Sequence, residues 1–159
     1  MNEEVVFQHM ESVRNRTISS LETTPDYALD TVPKGFNNSL RWNFGHILVV
    51  QEKLVYGFTG EDKQLPEQYV SFFSPRTSPS QWESTPPRAE EIQSYLQAQT
   101  SQIKQTFANR LHEKRDQPMQ IGSFHLATLE EAMTFSLYHE SIHQGTIIGL
   151  KRAQEFEQL

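Results

Sequence analysis

The chain has 159 residues, no cysteine and a formal net charge of −6 from 14 basic and 20 acidic side chains. That length suits one domain over residues 1–159 with a sizeable core. The lack of cysteine excludes disulfides, thiolate metal sites and a cysteine nucleophile. The acidic balance argues against binding a phosphate backbone. The start, Met1-Asn2-Glu3-Glu4, is unlike a secretion signal, and the longest strongly apolar run, Ile47-Leu48-Val49-Val50, is too short to cross a bilayer. A cytoplasmic protein with neither nucleic acid nor membrane as partner is expected.

Residues 3–23 predict a first helix, with Val5/Val6, His9/Met10, Val13, Thr17/Ile18 and Leu21 on its inner side. His9 on that stripe reads as a core histidine, or as a group near a metal. Residues 24–38, with Pro25, Asp26, Pro33, Lys34 and Gly35, read as a connection.

Ser39 is placed to cap a second helix over about 40–58, closed near Gly60. This segment is apolar almost all round, so it belongs at the centre of the fold. His46 lies deep in that surface. Gly45 beside it suggests the close approach of another backbone. Residues 61–85 read as a long irregular connection, yet they carry Tyr69, Phe72, Phe73 and Trp82. Such a loop either walls a pocket or merely covers apolar surface.

Thr85-Pro86-Pro87 with Glu90 and Glu91 signals a third helix, running to about Glu113 with His112 in its last turn. Residues 114–127 contain Pro118 and Gly122 and can include a short extended piece, with His125 at the surface. Thr128-Leu129-Glu130-Glu131 is a capping box opening a fourth helix to about 155. On it Leu129, Ala132, Ser136, His139, His143, Thr146 and Leu150 recur at helical spacing. Gly145 and Gly149, one turn apart, would permit close packing against a helix or a second subunit.

His139 and His143 stand one turn apart on one face, so both imidazoles can reach a single ion. The alternative is a pair of core histidines bonded to neighbouring side chains. His139-Glu140-Ser141-Ile142-His143 also spells the zincin protease pattern, with Glu140 as general base. Zincins take their third ligand downstream. Gly149 stands where a histidine would be needed, and only 16 residues follow His143, so Glu155 and Glu157 continue the same helix. A third ligand must come from upstream. His46 is the candidate, the alternative being a lone buried histidine.

Asn38-Ser39-Leu40-Arg41-Trp42-Asn43-Phe44-Gly45-His46-Ile47-Leu48 resembles the start of the second helix in the DinB-like family of bacterial proteins. Tyr138-His139-Glu140-Ser141-Ile142-His143-Gln144-Gly145 resembles that family's last-helix motif. The resemblance implies an all-α four-helix bundle with a long crossover connection. It implies a divalent metal (zinc, nickel or iron) held by His46, His139 and His143, and a homodimer. It also implies a small-molecule substrate and a tie to transferases that use bacillithiol or another small thiol. A metal-dependent hydrolase is the other family-level reading, and a non-catalytic, stress-related metal-binding module is a further alternative.

Three neutral imidazoles would leave an ion its full charge and an open position. That ion can activate water for hydrolysis or a thiol for transfer. Glu140 projects about 100° round the helix from His139. It therefore reads as a surface group or one behind the ligands, not as the base. No other acid or base stands out, which favours thiol transfer. A pocket is expected under the 61–85 segment, with Trp42, Tyr69, Phe73 or Trp82 among its walls.

Overall fold

The computed structural model describes residues 2–157, with side chains through 155. It is mostly helical: α1 (Glu3–Glu22), α2 (Asp26–Leu29), α3 (Leu40–Thr59), α4 (Glu67–Phe73), α5 (Ala89–Phe107) and α6 (Leu129–Glu157). A single turn of 3₁₀ helix, Pro79–Gln81, follows α4, and a hairpin, β1 (Lys114–Ile121) and β2 (Phe124–Thr128), precedes α6. No helix among the described residues is long and apolar enough to cross a membrane.

α3 is central. Ser39 Oγ accepts the Trp42 amide at its start, and Gly60 closes it at φ 80°, where a side chain would be strained. It packs on α4, α5 and, most extensively, α6, while α1 packs on α5 and α6. The capping box forms in full: Thr128 Oγ1 accepts the Glu131 amide at 3.2 Å and Glu131 returns a carboxylate to the Thr128 amide at 3.1 Å.

The all-α expectation holds in its coarser form: the fold is mostly helical, and the short extended piece expected in 114–127 is an antiparallel hairpin over residues 114–128 that turns at Gly122, φ 58°. Four expectations need correction. α5 begins at Ala89, after the two prolines, and stops at Phe107; Asn109 then takes φ 63°, leaving His112 in an exposed turn. The 61–85 segment is not irregular throughout, since α4 sends Tyr69 and Phe73 into the core with no exposed surface. His9 is exposed, because the buried stripe of α1 runs through Val6, Phe7, Met10, Arg14, Thr17, Ile18 and Leu21. Gly145 meets nothing within 4 Å and Gly149 only the edge of Phe36, so neither marks a close helix crossing within the chain.

The core is divided in two. Ile18, Leu40, Phe44, Leu48, Phe73, Leu96 and Ile147 lie in one half. Met10, Val55, Ile103, Phe107, Leu129 and Met133 lie in the other. Between them each long helix contributes buried polar side chains: Arg14 from α1, Gln51 and Glu52 from α3, Gln99 from α5, Ser136 and Glu140 from α6. Arg14 uses all five of its N–H donors here, on Glu140, Gln51, Gln99 and the Leu96 carbonyl. A buried guanidinium is tolerable only when it is satisfied in this way.

Candidate metal centre

Helical spacing on α6 puts His139 and His143 one above the other, and the α3–α6 packing brings His46 opposite them. The three ring centroids lie 4.5 to 5.1 Å apart. One nitrogen from each ring falls within 4.8 Å of the others. Bonds of about 2.0–2.1 Å in a tetrahedral set place nitrogens about 3.3 Å apart, so the trio surrounds one point and stands slightly open. No other such group of histidines and carboxylates occurs among the described residues.

Two of the rings are fixed by their outer nitrogens. His46 Nδ1 lies 2.6 Å from the Phe73 carbonyl, which can only accept, so this nitrogen carries the proton. His143 Nδ1 lies 2.7 Å from Asn43 Oδ1. The Asn43 amide is itself oriented by its Nδ2, which donates to the Ser39 carbonyl at 2.8 Å. In both histidines Nε2 therefore keeps its lone pair. A hydrogen bond on the far nitrogen is how ligating histidines are usually aimed.

Trp42 completes the support. Its indole stacks on His46 at 4.2 Å and 15°, while Nε1 donates to Thr77 Oγ1 at 2.9 Å. Gly45 makes room for Phe73. A Cβ there would lie 2.5 Å from the Phe73 ring, so the close neighbour is a side chain and not the backbone expected.

Burial lowers the pKa of all three imidazoles. For His46 the Phe73 carbonyl opposes the shift. His139 falls to about 4 through burial and then the neighbouring His46. His143 falls to about 3 through burial and then His139 and His46. At neutral pH three uncharged imidazoles face one another. Their donor set suits a borderline divalent ion such as zinc, nickel or iron.

Glu140 takes no part in this group. It is buried on the side of α6 that faces α1, where Oε1 accepts from Arg14 and Thr17 and Oε2 from Arg14. Asn43, Arg14 and the Phe73 carbonyl went unremarked in the sequence. The signals were an asparagine one turn from a buried histidine and an arginine between apolar positions of α1. Of the expected pocket walls, Tyr69 and Phe73 are core, Trp42 is buried against His46 and Trp82 is half-buried.

Comparison with known proteins agrees with this picture. No curated protein matches the chain. Among solved structures it is similar to a conserved protein from Enterococcus faecalis, with 13% identity and a TM-score of 0.66 over 96% of each chain. At that identity the likeness concerns the fold alone. The pattern of the DinB superfamily matches residues 9–147, a span that includes all three histidines and Asn43, and the chain belongs to that superfamily.

Proposed function

We propose that this chain is a four-helix-bundle metalloenzyme in which His46, His139 and His143 hold a divalent ion. Its reaction is transfer of an exogenous low-molecular-weight thiol, bacillithiol or a similar one, to a small electrophile. The observation that carries the reading is the preparation of the trio, with neutral rings and outer nitrogens committed to Phe73 and Asn43.

A bound divalent ion supplies Lewis acidity, which lowers the pKa of a thiol or water beside it. The chain's own part is positional. Phe73 and Asn43 hold the tautomers, Trp42 holds the His46 ring plane, and the apolar surroundings keep the imidazoles unprotonated. Transfer is favoured over hydrolysis by Glu140, whose carboxylate is occupied by Arg14 and Thr17 and turned away from the trio. The functional unit in this reading is a homodimer, which sedimentation equilibrium tests.

For the reaction, metal-loaded protein is assayed with bacillithiol, mycothiol or glutathione and chlorodinitrobenzene, beside His143→Ala. A metal-dependent rate with at least one thiol, lost in the variant, is expected. Background rates with every thiol would remove the transferase reading and leave a hydrolase or a non-catalytic metal-binding module.

A further inference from the structure

We propose that the cleft between α3 and residues 63–76 is a binding site for a small anion, a carboxylate or phosphate carried on an apolar body. The cleft encloses about 800 Å³, within the ~300–1,000 Å³ typical of small-molecule sites. Val49, Val50, Leu65 and Val70 give it apolar walls, and Lys53, Lys63 and Arg76 stand at its rim.

Those three cations differ from several basic groups elsewhere in the chain. Arg14, Arg41, Lys104 and Arg110 each hold a carboxylate. The side chains of Lys53, Lys63 and Arg76 form no ion pair or hydrogen bond among the described residues. They gather at one opening in a chain of net charge −6. Arg76 also holds φ 74°, a conformation that costs a residue with a side chain and concentrates at binding and catalytic sites.

The two acidic residues of the cleft do not cancel this character. Glu52 is buried, its carboxylate accepting the amides of Gln64 and Leu65 and the Gln99 side chain, so it ties down the loop before α4. Glu67 lies in the first turn of α4, where it complements the helix dipole.

None of the three histidines lines the cleft, but two of its walls are their near neighbours in sequence. Val49 and Val50 follow His46 by one helical turn, about 5.4 Å, and Ser74 follows the residue whose carbonyl fixes the His46 ring. The proposal does not rest on the metal-site reading.

Calorimetric titration with octanesulfonate, octanoate, octyl phosphate and octanol tests the site, on protein as purified and after chelation. Sulfonate is a poor metal ligand, so octanesulfonate reports on the cleft alone. It should bind about tenfold more tightly than octanol, with Lys53→Gln and Arg76→Gln each weakening it about threefold. Val70→Trp, on the exposed side of α4, should fill the cleft and abolish binding. The ranking of octanoate against octyl phosphate identifies the preferred head group. Octanol binding equally well, no loss in the Lys53→Gln/Arg76→Gln double variant, or no loss in Val70→Trp would overturn the proposal. Octanesulfonate binding by protein that takes up no metal would instead remove the metal reading and leave the cleft standing.

Discussion

Arg14 and Glu140 meet across the middle of the fold, Nε and Nη2 donating to Oε1 and Oε2 at 2.9 and 3.0 Å, with both side chains almost wholly buried. The pair fixes the rotation of α6 against α1, and through it the direction in which the neighbouring His139 points. Removing one partner strands the other charge in the interior, so Glu140→Ala should cost about 3–5 kcal/mol. The double variant Arg14→Met/Glu140→Leu should cost less than Glu140→Ala alone, because no charge is left unpaired. Urea unfolding of the two proteins checks the order, and the reverse order would mean that the pair is not the element holding α6.

Asn43 should matter to metal affinity more than to folding. Its side chain fixes the His143 tautomer, and its other hydrogen bond goes to the Ser39 carbonyl of its own helix. Asn43→Ala is expected to weaken zinc binding about 10- to 100-fold in chelator competition. Affinity within a factor of two of the parent chain would mean that His143 is oriented by its backbone alone.

Chelation should lower the melting temperature, since an ion bound only by the native state stabilises it by mass action. His139→Ala and His143→Ala should remove that shift. His112→Ala, at an exposed turn, should retain it. An equal loss in all three variants would point to general destabilisation and not to ligation.

What the sequence revealed and concealed follows from the range of the forces involved. The capping box, the Ser39 cap and the His139/His143 spacing are local, and all are found as expected. The convergence of His46 with that pair was legible only through the family resemblance of the α3 motif, because a helix apolar almost all round does not say which side faces α6. Arg14 was passed over because its partners, Gln51, Gln99 and Glu140, lie on three other helices, and no helical period announces such a contact. α4 was missed because seven residues between prolines give too short a window for a periodic signal. Its importance comes from a backbone carbonyl, that of Phe73, about which side-chain identity says nothing.

The depressed histidines make the metal-free protein acid-labile within a defined window. His139 and His143 titrate near 4 and 3 when folded and near about 6.5 when unfolded. Between those values the unfolded chain binds more protons, so stability rises with pH. Falling pH should therefore destabilise the apo protein from about pH 6.5 downward, by up to about 1.4 kcal/mol per pH unit for each histidine. His139→Gln/His143→Gln should flatten that slope. For the same reason, zinc binding at pH 7 should release no proton from the histidines, so that any release stays below one proton and comes from water on the ion. Release of more than one proton would show that the free site is protonated at neutral pH.

Gly45 offers the sharpest test of how the site is supported. Helix propensity alone favours alanine over glycine by about 1 kcal/mol in a helix interior. The added Cβ, however, would lie 2.5 to 2.6 Å from three atoms of the Phe73 ring. That ring has no exposed surface and is wedged against Tyr69, Phe72 and Trp82, so it has no free direction in which to move. Overpacking of this kind costs about 1–3 kcal/mol, more than the propensity gain. Displacing Phe73 should also shift the carbonyl that holds His46 Nδ1. Gly45→Ala is therefore expected to lower both stability and zinc affinity, two losses that a remote destabilising change would not couple. Adding Phe73→Leu should relieve the clash, so that Gly45→Ala costs less in that background than in the parent chain. A rise in melting temperature for the single variant would show that the ring has room to give way and that His46 does not depend on it.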